Sequence, residues 1–175
     1  MSKTSKDSKK NKKKANKKAD SKKKRAAQAD PLPVRRYNAA GGVVIHQGQM
    51  LLLDRPGRKE VRLPKGHIED DEIPADTAVR ETAEESGYGD LSIVADLGSQ
   101  VVEFDYKGAH YVRTEFYFLM HLNSHERVDQ PQSDQVQFTP LWVDLDEAVA
   151  RLTFPAEQDV AQRAIAIHRA QVEDG

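Results

Sequence analysis

Between Arg80 and Gly87 the chain reads RETAEESG. If this stretch is helical, Glu81, Glu84 and Glu85 stand at i, i+3 and i+4, neighbours on one patch of helix surface. Like charges so placed repel by about 0.2–0.5 kcal/mol per pair, so something must offset the crowding. Water is one answer, and three helical glutamates by themselves indicate no more than a solvated acidic face. A hard divalent cation is another. Mg2+ takes carboxylate oxygens in an octahedral shell at about 2.0–2.1 Å, and a helix fixes such carboxylates in advance. Arg80 keeps its charge and can grip a carboxylate through two parallel hydrogen bonds. It is expected to orient one of the glutamates rather than touch a substrate.

The surrounding elements are those of an α/β domain. Pro74 suits the first turn of a helix and Gly87 its end. Ala75, Ala78, Val79 and Thr82 recur at helical spacing as a modest inward stripe, and the middle of the glutamate patch points away from it. Upstream, Ala39–Ile45 and Gln49–Asp54 read as two strands joined through His46-Gln47-Gly48. The first carries Gly41 and Gly42, which weaken a strand but let a backbone or ligand approach closely. Residues 55–73 read as loop. Leu91–Ala95, Gln100–Tyr106 and the alternating stretch GAHYVRTEFYFLMHL read as strands. Residues 122–140 are loop-like. Leu141–Val143 reads as a short strand, Asp146–Leu152 as a short helix and Pro155–Gln171 as an amphipathic helix.

Charge divides the chain in two. The first 25 residues hold 12 Lys, 1 Arg and 2 Asp and no Leu, Ile, Val, Phe, Tyr or Trp. Such a segment cannot bury enough apolar surface to offset its ordering entropy, so residues 1–33 are expected to be a disordered basic tail and linker. The whole chain has 27 basic and 28 acidic residues. Removing the tail's 13 and 2 leaves 14 and 26, a net charge of −12 for residues 26–175; residues 34–175 are the expected domain. The absence of Cys excludes disulfide and thiol chemistry. No apolar h-region follows the amino-terminal charges and no run approaches 18 apolar residues, so neither a secretory signal nor a membrane span is expected. A cytoplasmic location is the expectation.

From Gly66 the sequence runs GHIEDDEIPADTAVRETAEESGY. It fits G-x5-E-x7-R-E-U-x-E-E-x-G-U, where U leans apolar. Gly66, Glu72, Arg80, Glu81, Glu84, Glu85 and Gly87 fill the seven fixed positions, while Thr82 and Tyr88 at the U positions are less apolar than the pattern prefers. Seven fixed residues at roughly 6% frequency each coincide by chance in a chain this long about once in a million. The stretch resembles the Nudix family of hydrolases of nucleoside diphosphates linked to another group. AAGGVVI, LLLDRP, LPKGHIE, YFLM and WVDLDEA follow in the family's order, over about residues 37–170.

The resemblance implies a fold, a cofactor and roles. The fold is an α/β/α sandwich with a mixed β-sheet. The cofactor is Mg2+ or Mn2+, held by Glu81, Glu84, Glu85 and the Gly66 carbonyl. Glu84 is ligand or proton acceptor, Arg80 belongs to the catalytic set, and Glu72 supports the box by hydrogen bonding. Metal-activated water attacks a phosphorus of a diphosphate bridge. Asp134, in PQSDQVQF, is the nearest acidic candidate for an auxiliary base from a later loop, though an Asp in a polar loop is usually only solvated.

The substrate is less determined. The approach RLPKGHIE is similar to enzymes acting on dinucleoside polyphosphates or diphosphoinositol polyphosphates, and places Lys65 and His67 beside the metal site. KGAHYVRTEFYFLM is similar to a strand of bacterial-type diadenosine tetraphosphate hydrolases. On it Arg113 could clamp a phosphate, while Tyr111 or Tyr117 could stack on a base. Arg55, Arg58, Lys59 and Arg62 could steer a polyanion. The expected activity is hydrolysis of a nucleotide polyphosphate, with dinucleoside polyphosphates such as diadenosine tetraphosphate preferred. Nucleoside triphosphate pyrophosphatase, diphosphoinositol polyphosphate phosphatase and RNA 5′-pyrophosphohydrolase remain rivals. A non-catalytic nucleotide-sensing module is a rival of another class, but such modules typically lose box glutamates. The basic tail suits weak, salt-sensitive contact with nucleic acid or another polyanion.

Overall fold

The computed structural model of the chain describes residues 31–173. The expected disordered tail lies almost wholly outside the described residues. The first described element is β1, Val34–His46, and it organises the rest. Its partner β2, Gln49–Arg55, returns antiparallel through a turn in which Gln47 and Gly48 take positive φ. Two short strands follow within 55–73, where a loop was expected. These are β3, Glu60–Arg62, paired with β2, and β4, Lys65–His67, paired with β1. Three-residue strands carry no periodicity to read, and only their partners define them.

Helix α1, Pro74–Ser86, begins and ends as the sequence implies. Pro74 opens it and Gly87 closes it at φ 76°. The expected strands on either side of residues 96–99 are one long strand, β5, Leu91–Tyr106, with irregularities at Ile93/Ala95 and Asp96/Ser99. It forms a hairpin with β6, Ala109–Leu122. A short helix α2, Gln132–Gln137, interrupts the expected loop. Then come β7, Thr139–Asp144, α3, Leu145–Arg151, and α4, Pro155–Glu173.

The sheet order is β3-β2-β1-β6-β5, with β4 added to β1 and β7 to β2. β1 and β6 run parallel over twelve paired positions, while the other pairs are antiparallel, so the sheet is mixed. Alternation along β1 sends Ala40 and Val44 to one face and Val43 and Ile45 to the other. The first face packs with Met120, Leu122 and Ala78 of α1. The second packs with Leu119, Tyr117 and the Val160, Ala161 and Ala164 row of α4, together with Leu145 and Ala148 of α3. Helices thus cover both faces, and the α/β/α architecture follows.

Gly41 explains how β4 reaches β1. A Cβ there would overlap the Pro64 carbonyl oxygen and the Lys65 side chain. Its absence lets the 63–66 segment lie against the strand, where the Gly42 N–H donates to Pro64 O at 3.2 Å. No helix among the described residues is long and apolar enough to cross a membrane.

Candidate active site

The helix α1 and the strand β4 meet edge to edge, and the meeting is polar. Glu72, just ahead of the helix, accepts Arg80 Nε–H at 2.6 Å and Nη2–H at 2.8 Å, a fork on a carboxylate. It also accepts the Thr77 hydroxyl at 2.7 Å. These bonds, the arginine's first, hold the Glu72 carboxyl down at a pKa of about 2. Arg80 then donates Nη1–H to Glu81 Oε1 at 2.7 Å, stands 3.4 Å from Glu84 Oε2, and donates Nη2–H to the His67 carbonyl at 3.1 Å. Arg80 therefore fixes carboxylates and a backbone segment, and it lines neither of the cavities described below.

Gly66 sits under Glu81. A Cβ at Gly66 would overlap the Glu81 carboxylate, so only glycine admits that side chain against the β4 backbone. Glu85 turns inward. It is 9% exposed and accepts the Lys65 N–H through Oε2 at 2.9 Å. The glutamate patch is thus not a wholly solvated face, as the inward stripe alone implied. Glu85 stands three residues after Thr82 and seven after Ala78, so it shares their side of the helix. Burial pushes its carboxyl up to about 8. Burial also raises Glu81, whose proximity to Glu84 and Asp134 adds to the shift. Glu84 stays half-exposed beside Arg80.

These residues suit a hard cation. Two carboxylates whose charge is penalised by desolvation lie against the β4 backbone, Glu81 at Gly66 and Glu85 at the Lys65 N–H, and every donor is oxygen. The side chains do not form a finished cage, however. Among the described residues no three His, Cys, Asp or Glu side chains converge as a metal-binding group. Arg80 Nη1 stands between Glu81 Oε1 and Glu84 Oε2, at 2.7 and 3.4 Å.

A cavity of about 360 Å³ opens beside Gly66 and Glu85. Asp134, on α2, lines it too, and burial raises its carboxyl. A family model of the NUDIX domain matches residues 36–164. The chain belongs to the Nudix family. It is 35% identical over 136 residues to the "Putative mutator protein MutT4" of Mycobacterium tuberculosis, a match covering 72% of this chain and 53% of that relative. The chain thus spans about half the length of that protein. Solved structures share the fold. A Caenorhabditis elegans Ap4A hydrolase binary complex aligns with TM-score 0.59 and 22% identity, over 77% of this chain and 98% of that one. The Escherichia coli dihydroneopterin triphosphate pyrophosphohydrolase aligns with TM-score 0.60 and 17% identity, over 75% and 96%.

Within this Nudix domain the residues expected to meet substrate divide. Arg55, Lys65, His67 and Arg113 all line the cavity. Arg113 bonds Glu115 at 2.5 Å and donates to the Tyr37 hydroxyl at 3.2 Å. Arg55 bonds Gln137 and lies 5.3 Å from the Phe138 ring centre. Tyr117 does not reach the cavity surface. It is fully buried among core residues, because α4 covers that half of the sheet face. Tyr111, on the same face but beyond the helix, remains partly exposed. Lys65 is not a free cation either. Its side chain is buried and its Nζ lies 2.5 Å from Glu157 Oε1.

Glu157 went unnoticed in the sequence. Through Oε2 it accepts the Leu63 N–H at 2.9 Å, so one carboxylate from α4 pins both ends of the 63–65 segment leading into Gly66. Its partner lies 92 positions away, and no local pattern could reveal it. The rings of His121 and His125 lie 5.6 and 4.8 Å from that of His46. They make no metal group among the described residues.

Proposed function

We propose that the chain is a Mg2+-dependent pyrophosphohydrolase that cleaves the diphosphate linkage of dinucleoside polyphosphates such as diadenosine tetraphosphate. The observation that carries the hydrolase reading is the placement of two desolvated carboxylates, Glu81 against Gly66 and Glu85 at the Lys65 N–H, beside a cavity lined by Arg55, Arg62, Lys65 and Arg113. Acids gathered where a polyanion must enter make chemical sense only with a bridging cation.

Glu81, Glu84, Glu85 and the Gly66 carbonyl would hold Mg2+, which when bound screens their charge from the phosphates and lowers the pKa of water. Arg80 sets Glu81 and, through Glu72 and the His67 carbonyl, the loop that carries Gly66. Glu84, the most accessible of the three glutamates, holds the proton leaving the attacking water. Arg55 and Arg113 orient phosphoryl oxygens, and a guanidinium fork suits that task. Asp134 is close enough to influence Glu81 and is the auxiliary proton acceptor.

The dinucleoside preference rests on the Pro-Lys-Gly-His approach at residues 64–67, with the Ap4A hydrolase among the structural neighbours supporting it. A second reading, pyrophosphohydrolysis of a triphosphate, is favoured by the dihydroneopterin triphosphate pyrophosphohydrolase neighbour. Incubation with Mg2+ and diadenosine tetraphosphate, nucleoside triphosphates, a diphosphoinositol polyphosphate or triphosphorylated RNA, with products identified, separates them. Glu84→Gln is expected to lower turnover at least a hundredfold, within the usual range for losing a proton acceptor, while the fold survives. Near-normal turnover removes Glu84 from this role.

A further inference from the structure

The last turn of α1 carries Glu84 and Glu85, and the closing carbonyls of a helix have no partner within it. The segment after β6 supplies partners at this end. Gln130 Nε2–H donates to Glu84 O at 2.9 Å, and just beyond the helix Val128 N–H donates to Gly87 O at 3.0 Å. Two glycines admit the segment. A Cβ on Gly87 would stand 2.5 Å from Arg127 Nη2 and 2.8 Å from Gln130 Oε1, and one on Gly89 would stand 2.6 Å from Val128 Cγ1. The box glycine therefore does more than end the helix at positive φ. It leaves room for a clamp on the helix end.

Apolar burial does not hold this clamp. From His125 to Gln137 every residue is exposed except Gln130 and Asp134, which are partly buried. Val128 and Val136 keep 45% and 80% of their surface open. Polar hooks hold the segment instead, and Gln130 makes two of them. Its side chain donates to α1, while its own carbonyl accepts Gln135 Nε2–H of α2 at 2.9 Å. Pro131 O then accepts the Asp134 and Gln135 N–H groups, which starts α2. At the far end Gln137 meets Arg55, and Phe138 is buried. A helix of six residues does not hold itself in water, so its position is set by what it is tied to.

Between these anchors stands Asp134, in the wall of the first cavity with Gly66 and Glu85. Gln130 lines neither that cavity nor a second one, of about 640 Å³, which shares Tyr37, Arg55, Arg62 and Arg113 with it. It can act on the site only through other groups.

We propose that Gln130 is a positioning residue of the hydrolysis: by tying α2 to the last turn of α1, it holds Asp134 in the cavity wall, where the carboxylate can take a proton from the attacking water. The proposal rests on the hydrolase reading and on the role given there to Asp134. Placement is what such a tether supplies, since a shift of about 1 Å in a reacting group can cost about a hundredfold in rate.

The test compares Gln130→Met, Asp134→Asn and the double variant in the full chain, with Mg2+ and the faster cleaved of diadenosine tetraphosphate and ATP. Methionine keeps the reach of the side chain and removes the donor. Gln130→Met should lower kcat about tenfold while KM stays within about threefold, because Gln130 touches no substrate. Asp134→Asn should lower kcat too, and adding Gln130→Met to it should cost nothing further. In the metal-free protein, amide exchange at Asp134, Gln135 and Phe138 should quicken about tenfold in Gln130→Met, with circular dichroism unchanged. Parent kcat in Gln130→Met beside a slowed Asp134→Asn, losses that multiply in the double variant, or unchanged exchange overturns the proposal. Parent kcat in Asp134→Asn overturns the role of Asp134 and the proposal with it. No turnover of any phosphoanhydride by the parent overturns the hydrolase reading and the catalytic half of the proposal, while quickened exchange then leaves the tether standing.

Discussion

Lys65 Nζ lies 2.5 Å from Glu157 Oε1, and both side chains are sequestered from water. The lysine at the entrance to the box thus meets a carboxylate of α4 rather than an open anion site. Breaking such a pair by removing one partner typically costs about 3–5 kcal/mol, because the other charge is left buried, whereas replacing both is often near neutral. Lys65→Met should therefore lower unfolding free energy by about that amount in urea titrations. Lys65→Met/Glu157→Leu should recover most of it, less the Leu63 hydrogen bond that Glu157 also accepts. A Lys65→Met protein as stable as its parent, but with a KM raised tenfold or more, would show that the lysine serves phosphate after all.

Gly66 admits the Glu81 carboxylate where any side chain would collide with it. Gly66→Ala should keep the fold, since Gly66 is partly exposed and the added Cβ meets the far end of the Glu81 side chain rather than backbone. It should abolish the calorimetric signature of divalent cation uptake and lower turnover at least a hundredfold. Unchanged cation affinity would separate Gly66 and Glu81 from the metal site.

Glu72 carries a pH signature. Its folded pKa of about 2 lies below the model-peptide value near 4.5, so between these values the unfolded chain binds more protons. The stabilisation from its bonds with Arg80 is present above about 4.5 and is lost as pH falls through about 2. Glu72→Gln should flatten the fall of stability with acid across this window, read from urea midpoints at pH 5, 4 and 3. Parallel pH profiles in the two proteins would show that the Arg80 fork does not operate in solution.

The basic tail supplies charge, and the described residues that line the first cavity lie between Tyr37 and Phe138. A protein lacking residues 2–25 should hydrolyse small substrates within about twofold of the parent rate while losing salt-sensitive retention on a polyanionic resin. Collapse of hydrolysis would place part of the domain within the deleted segment.

The comparison of sequence with structure is sharpest at particular residues. The helix Pro74–Ser86, its glycine stop and the alternating strand around Arg113 were legible, because each is set by residues a few positions apart. The two three-residue strands within 55–73 were not, since neither has a pattern apart from its partner. Tyr117 illustrates the limit of alternation. It shares a strand face with Tyr111 and Arg113, as the sequence implies, yet α4 covers one half of that face and leaves the other open.

By itself the sequence determined the chemistry of the box. Seven spaced residues define a carboxylate-bearing helix, the glycine that faces it and the arginine that aligns it, because those relationships are local or nearly so. Tertiary structure alone decided which charges are free. Lys65 meets Glu157 across 92 residues, and Glu85 turns inward onto a strand backbone. The reason is physical. The energy of a charge depends on its burial and on its nearest partner, and neither is set until distant segments pack.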